Sequence, residues 1–290
     1  MPDQPPTRVK SGTDDDAATD GSPTPTDAVV GDELTILVPV RILEGEQVPA
    51  ALVDVITAAP VVVLGYHVIP DQTAPEQASD SFGEQARTEL EDLADAFRET
   101  GGPADTRLVF THDPTQTFER VAADEAADAI LLLNPAPSVD RILVAIGETI
   151  NVDRLTTLTA TLATHADLAV GLFHVAASED ARADGEVLLD RATDSLVSRG
   201  VPADRIDREV VVSDAPIRAI VEEAADDTDL VVLGESRPSL REVVFGDPSE
   251  RVADHTLAPT LVVRRLPTID AADASPSDDD PTGEDAETNG

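Results

Sequence analysis

The sequence contains no cysteine, no tryptophan and a single tyrosine. The absence of cysteine excludes disulfides, thiolate zinc sites and cysteine nucleophiles. Aromatic residues make up only 2% of the chain and hydrophobic residues 41%, so a core has to be built from Ala, Val, Leu and Ile. These residues suit strands and helices packed in layers. The length of 290 residues allows one large domain or two small ones.

Basic residues are also scarce. Lys10 is the only lysine, and 58 acidic residues against 20 basic ones give a formal net charge of −38. This charge repels DNA, RNA and anionic lipid, so we expect no nucleic-acid partner. Dispersed acidity with almost no lysine is typical of proteins from salt-accumulating halophiles, where molar salt shortens the Debye length to about 3 Å. The charge therefore indicates the solvent and not a substrate.

Long apolar runs are missing as well. No run approaches the roughly 20 residues that a membrane-spanning helix needs, and residues 1–10 lack the apolar segment of a signal peptide. We therefore expect a cytoplasmic protein without membrane insertion. Residues 1–33 and 267–290 are rich in Pro, Thr, Ser, Gly and Asp, which predicts two disordered tails, the second strongly acidic.

Between these tails the sequence repeats itself. Four sets of segments match in the same order, namely 36–40 with 142–146, 66–68 with 173–175, 103–105 with 202–204, and Asp113 and Asp128 with Asp214 and Asp229. Matches in one order at an offset of about 100 residues indicate an internal duplication. We predict a first domain over 34–137 and a second domain over 138–266.

Both copies alternate short Val/Ile/Leu runs with amphipathic helical patterns. In the second copy the runs predict strands at 141–146, 168–175, 208–213, 229–234 and 259–264, and in the first copy near 35–40, 61–68, 106–111 and 129–134. Strands separated by helices require crossover connections and a parallel sheet. The first copy then passes through Pro135-Ala136-Pro137 directly into the second. It is therefore predicted to be truncated, without a last helix and a fifth strand.

The most informative stretch follows the fourth strand of the second copy. Gly234 ends the strand, a polar loop follows, and Gly246 precedes a further helical pattern. Ligands of open parallel sheets bind beyond the carboxyl ends of the strands, at the point where the strand order reverses. Glycines and a helix N-terminus at such a point suit a phosphate group.

These features resemble the universal stress protein family, whose phosphate loop follows the pattern G-x2-G-x9-G-[S/T] after the fourth strand. The resemblance covers residues 139–266 throughout and the first copy in part. It implies two flavodoxin-like (adenine-nucleotide α-hydrolase-like) α/β units with parallel sheets. It also implies dimerisation and either an ATP-binding or a non-binding type.

The phosphate loop departs from the family's pattern. Arg237 stands at the second glycine, and Gly246 comes one residue early and is followed by Asp247-Pro248-Ser249. With Glu250, this segment is typical of a capped helix start, in which a carboxylate binds the N–H groups that a phosphate would need. Arg237 could instead supply the charge that the missing glycine does not. A structural cap and a degenerate nucleotide site both remain open.

Other positions complete the candidate site. The adenine-contacting aspartate of the family is replaced by Gly147 in the second copy and by Arg41 in the first. Ser213 and Asp214 precede a proline and a helical stripe and are interpreted as a helix cap, as is Asp113 in the first copy. The candidate residues for an ATP or AMP site are Gly147, Ser213, Asp214, Gly234, Ser236, Arg237, Gly246, Asp247 and Ser249.

No catalytic residue or metal site is predicted. The five histidines are scattered, without the spacing of metal ligands, and His67 and His174 at strand ends are interpreted as packed, hydrogen-bonded residues. We therefore expect a regulatory or sensor protein and no enzyme. The alternative is a module without nucleotide that acts through dimerisation, with a transporter or another stress protein as partner.

The truncation leads to a prediction about assembly. Without a fifth strand in the first copy, the strand at 259–264 is left as an apolar edge with unpaired backbone groups. We predict that it pairs with the same strand of a second chain, which gives a homodimer.

Overall fold

The computed structural model describes residues 34–147, 151–225, 228–234 and 258–264. Within these residues the strands are β1 (Ile36–Arg41), β2 (Val61–Val68), β3 (Ala104–Thr111), β4 (Ala129–Leu132), β5 (Arg141–Ala145), β6 (Ala169–Ala176), β7 (Ile206–Val212), β8 (Leu230–Gly234) and β9 (Thr260–Val263). The helices are α1 (Ala50–Ile56), α2 (Pro75–Glu99), α3 (Pro114–Asp124), α4 (Val152–Ala166), α5 (Arg182–Ser198) and α6 (Pro216–Ala224).

The sheet is covered by helices on both faces. Successive residues of a strand point to opposite faces, so in β1 Val38 joins one core layer and Leu37 the other. The first layer includes residues of α1, α2, α4 and α5, and the second includes residues of α3 and α6. Both layers consist mainly of Val, Leu, Ile and Ala, as the composition predicts. The predicted α/β fold class is confirmed.

The two halves of the sheet have the same strand order. The full order is β3-β2-β1-β4-β9-β8-β5-β6-β7, and we call β1–β4 the first half and β5–β9 the second half. In the first half, β1 pairs in parallel with β2 and β4, and β2 with β3. In the second half, β5 pairs in parallel with β6 and β8, and β6 with β7. In each half the strand order therefore reverses between the first and the fourth strand.

The last strand, β9, joins the halves into one sheet. It pairs in parallel with β8, with Gly234 opposite Val263, and antiparallel with β4, with Ile130 opposite Val262. It thus occupies the fifth position of both halves. The first half has no fifth strand of its own, because residues 133–140 contain neither helix nor strand.

The prediction of a dimer through residues 259–264 is therefore wrong. Because the first half has no fifth strand of its own, one side of β4 is left without a partner from that half. In the structure β9 of the same chain pairs with this side of β4. Since β8 takes the other edge of β9, no backbone groups of this strand remain for a second chain.

A largely buried ion pair holds the halves together at one end of β9. Asp128, just before β4, contacts the guanidinium of Arg154 on α4, and the two side chains are 10% and 15% exposed. The other carboxylate oxygen of Asp128 accepts a hydrogen bond from the backbone N–H of Thr35 at 2.6 Å. Its carbonyl accepts from the N–H of Arg264, just after β9, at 2.7 Å. Asp128 therefore connects the starts of β1 and β4 with α4 and the end of β9.

Asp229 has a related role in the second half. Its carboxylate accepts hydrogen bonds from the backbone N–H groups of Asp140, at 2.8 Å, and Arg141, at 3.0 Å. In each half, an aspartate before the fourth strand thus fixes the start of the first strand. The duplication hypothesis requires this correspondence, because it aligns Asp128 with Asp229.

Candidate functional site

Two glycines of the second half lie at the carboxyl ends of its parallel strands. Gly147 lies just beyond the end of β5, and Gly234 is the last residue of β8. The two strands are neighbours, with Ala145 opposite Leu233. Because β6 lies on the other side of β5, the strand order reverses between these glycines, where an open parallel sheet binds its ligands.

Ser213 and Asp214 also lie at the carboxyl end of a strand but farther out. They follow β7, which is separated from β5 by β6. Two strand spacings amount to about 10 Å. The structure therefore places Asp214 beyond the end of the outermost strand, and the two glycines form the centre of the described site.

The interpretation of Ser213-Asp214 as the cap of α6 is wrong in detail. The residue at the N-cap position is Ala215, which makes no side-chain capping bond. The Oγ of Ser213 accepts a hydrogen bond from the N–H of Ala215 at 3.1 Å. This local turn starts the helix one residue later than the pattern predicts.

The corresponding prediction for the first half is confirmed. Asp113 is the N-cap of α3, and its carboxylate accepts a hydrogen bond from the N–H of Gln116 at 3.0 Å. The remaining candidate residues lie outside the described residues, namely Ser236, Arg237, Gly246, Asp247 and Ser249. The nucleotide loop and the capping segment that contains Asp247 stay predictions.

Comparison with known sequences decides the family of the second half. The sequence profile of the universal stress protein family matches residues 138–264. These residues belong to the universal stress protein family. No curated protein matches the chain in sequence.

One of the following solved structures, a universal stress protein with a TM-score above 0.5, shows the same fold. A universal stress protein from Archaeoglobus fulgidus DSM 4304 has a TM-score of 0.56 at 16% identity, over 80% of this chain and 96% of that chain. A functionally unknown protein from Pseudomonas aeruginosa PAO1 has a TM-score of 0.45 at 16% identity, over 80% and 93% of the two chains. A universal stress protein in complex with cAMP has a TM-score of 0.35 at 19% identity, over 44% of this chain and 98% of that chain.

In the first half, the position that corresponds to Gly147 in the family segment is filled by side chains. Arg41 ends β1, and its Nε donates a hydrogen bond to the hydroxyl of Tyr66 at 3.0 Å. The N–H of Arg41 donates to Glu46 at 2.7 Å, and its guanidinium lies 3.7 Å from Glu44. Tyr66 packs edge to face on Phe118, with ring centroids 4.8 Å apart. In the first half this position therefore carries an arginine side chain with bound partners, and not a glycine.

The same contacts shift two pKa values. Burial raises the pKa of Tyr66 above its ordinary value, although the hydrogen bond from Arg41 acts in the opposite direction. The hydrogen bond to the Tyr66 hydroxyl raises the pKa of Arg41. Arg41 and Tyr66 thus form a cation–hydroxyl pair. Because its pKa is raised, Tyr66 is protonated at neutral pH.

His174 lies beside the site, and the sequence pattern does not show which group it bonds. It is buried two residues before the end of β6, and its Nδ1 lies 2.7 Å from the carbonyl oxygen of Ile146. The interpretation as a packed, hydrogen-bonded residue is confirmed for His174, whereas His67 is packed but its Nδ1 has no hydrogen-bond partner. The signal in the sequence is the repeated aromatic-His-Val ending of the second strand, which shows where the histidine lies but not what it bonds.

Metal and membrane features are not found in the described ranges. Between residues 34 and 264, apart from the gaps given above, no group of three or more His, Asp or Glu side chains could hold a metal ion. Every helix within the described part of the chain is too short or too polar to cross a lipid bilayer.

Proposed function

We propose that this chain is a regulatory or sensor protein of the universal stress type that binds a nucleotide, ATP or AMP, at the C-terminal edge of its second half. The observation that carries the proposal is the pair Gly147, just beyond the end of β5, and Gly234, the last residue of the adjacent parallel strand β8, at the point where the strand order reverses. Without side chains, glycines let backbone N–H groups approach a phosphate closely.

The charge of a nucleotide has to be compensated in a chain with a net charge of −38. Two arginines flank the site: Arg154 in the first turn of α4 contacts Asp128, and Arg264 after β9 donates to the carbonyl of Ala127 at 2.9 Å. Since both guanidinium groups already bind protein groups, we propose that Arg237, which follows β8 in the sequence, supplies the positive charge. Concentrated salt, the solvent that we propose from the composition, reduces the remaining repulsion.

Calorimetric titration with ATP and with AMP in molar KCl tests the proposal. We expect Arg237→Ala to weaken binding by about tenfold or more, as the loss of a charge-assisted contact would. Gly147→Asp adds a side chain and a negative charge beside the N–H that the proposal assigns to the phosphate, and it is expected to weaken binding as well. The matched control is Arg120→Ala on α3 of the first half, which removes the same charge from a 58% exposed side chain and should leave the affinity unchanged.

Two results would contradict the proposal. The first is that neither nucleotide binds to the wild-type chain at millimolar concentration. The second is an equal loss of affinity in Arg237→Ala and Arg120→Ala, since this would indicate an effect of net charge alone.

The second candidate function is an interaction module without nucleotide. The contacts of Arg41 with Tyr66 favour it, because they fill the corresponding position of the first half. The sequence Asp247-Pro248-Ser249-Glu250 favours it too, because a capping carboxylate competes with phosphate. A transporter or another stress protein would then bind to a surface other than β9. We propose no catalytic activity under either candidate.

A further inference from the structure

The peptide between Ile146 and Gly147 is held by two consecutive residues of β6. The N–H of Ile146 donates to the carbonyl of Phe173 at 2.9 Å, and the carbonyl of Ile146 lies 2.7 Å from Nδ1 of His174. A carbonyl oxygen only accepts hydrogen bonds, so Nδ1 carries the hydrogen and donates it. Both polar backbone groups of the residue before Gly147 are therefore fixed.

This arrangement sets the direction of the N–H of Gly147. The carbonyl of Ile146 and the N–H of Gly147 belong to one planar trans peptide, in which they point in opposite directions. Since the carbonyl points towards His174 on β6, the N–H points away from β6. On that side of β5 lies β8, which ends in Gly234. The histidine thus directs this donor towards the side of β8, where Gly234 ends that strand.

Packing against α5 keeps the ring in place. A Cβ atom at Gly185 would lie 2.5 Å from Cδ2 of His174 and 3.1 Å from its Nε2, and 3.2 Å from Val210. Only glycine therefore lets the helix approach the ring this closely. Nε2 is buried and has no hydrogen-bond partner, which is unfavourable for a polar atom. Phenylalanine would fill the same space without this penalty, so the bond to Ile146 explains the histidine better than packing does.

The first half provides an internal comparison. His67 occupies the same place in the repeated ending Tyr66-His67-Val68, but its Nδ1 is buried without a hydrogen-bond partner. It packs instead between the rings of Phe82 and Phe110, with centroids 6.3 Å and 6.2 Å away. The bond from the histidine to the first strand thus occurs only in the half that has a glycine after that strand.

We propose that His174 is a positioning residue of the candidate site, which orients the N–H of Gly147 towards an anionic ligand by holding the carbonyl of Ile146. The ligand part rests on the proposed nucleotide function, whereas the orientation of the peptide does not. A donor that is already oriented does not lose this freedom on binding, which increases affinity. This matters at a glycine, whose backbone is otherwise the least restricted.

Three variants of the full chain test this role. His174→Phe keeps the ring but has no donor, and His174→Asn places an amide N–H close to the position of Nδ1. His67→Phe is the matched control in the first half. In NMR spectra without ligand, we expect His174→Phe to shift the carbonyl carbon of Ile146 and to speed amide exchange at Gly147. We expect His174→Asn to keep both close to wild type, and His67→Phe to change neither.

Titration with ATP provides the second measurement. We expect His174→Phe to lose about tenfold in affinity, with His174→Asn close to wild type and His67→Phe unchanged. A purely structural role predicts another order, in which affinity follows the thermal stability of each variant. If His174→Phe does not fold, Gly185→Ala replaces it, because its Cβ displaces the ring while His174 is retained.

The outcomes separate the two proposals. If the wild type binds ATP and His174→Phe, or Gly185→Ala in its place, binds equally well, the role of His174 is overturned and the proposed function stands. If the wild type binds no nucleotide, the proposed function fails and the NMR spectra decide. Unchanged signals of Ile146 and Gly147 in the disrupting variant then overturn the positioning role, and the expected shifts support it.

Discussion

The ion pair between Asp128 and Arg154 should be one of the strongest single contributions to the stability of the sheet. Its side chains are 10% and 15% exposed, and Asp128 also binds the N–H of Thr35. Removing one partner of a buried pair costs about 3–5 kcal/mol, because the other charge stays buried. We therefore expect Asp128→Ala to lower the free energy of unfolding by about this amount, a large fraction of the roughly 5–15 kcal/mol typical of folded domains.

Urea unfolding in molar KCl measures this loss, since salt screens exposed charges far more than buried ones. The matched control is Asp124→Ala, which removes the same side chain from a pair with Arg120 whose members are 63% and 58% exposed. An exposed pair of this kind contributes about 0–1 kcal/mol. Adding Arg154→Met to Asp128→Ala should recover part of the loss, because no charge then remains buried. Equal losses in the two aspartate variants would refute the reasoning.

Three further predictions concern Tyr66, salt and β9. Tyr66 is the only tyrosine and its pKa is raised, so the phenolate absorbance of the folded chain should titrate above pH 10.0 and return to the ordinary value in urea. Because the folded pKa is the higher one, the contribution of Tyr66 to stability is complete below about pH 10 and is lost as the pH rises through the folded pKa. A midpoint at or below pH 10 contradicts this. Low salt should lower the midpoint of thermal unfolding, because the repulsion between carboxylates is then unscreened. Equal midpoints at about 0.1 M and about 3 M KCl would contradict this prediction. Val262→Pro should lower the free energy of unfolding of the whole sheet, measured in urea. The reason is that the N–H of Val262 faces β4, as the N–H of Arg264 does in its bond to Asp128. Light scattering that finds a wild-type dimer and a stable, folded monomeric variant would contradict this prediction.

The strands were predictable because most of them are buried on both faces. Such strands appear in the sequence as unbroken Val, Ile and Leu runs, and the run at 61–68 corresponds to β2 without a shift at either end. The predicted strand at 129–134 ends early, at Leu132. Its pairing ends there on both sides: β9 begins at Thr260 opposite Leu132, and the pairing with β1 extends only to Ile130 opposite Leu37.

The partner of β9 was not predictable in the same way. An apolar run indicates that a strand is buried, but not which strand lies beside it. The residues around Val262 would look the same whether the neighbour were β4 or a second chain. The site shows the same limit. Gly147 and Gly234 follow from strand order, whereas the bond from His174 to Ile146 depends on how α5 packs at Gly185.

The position of β9 in the sheet also constrains how the chain folds during synthesis. The ribosome makes β9 after every other strand of the sheet, so the nascent chain first contains β4 and β8 with one open edge each. These edges carry unpaired backbone groups that can bind the wrong strand. Only when residues 260–263 emerge can a single segment close both edges at once. Translation that stops before Thr260 should therefore release two unjoined half-sheets with open edges, which makes aggregation of incomplete chains the main hazard of this architecture.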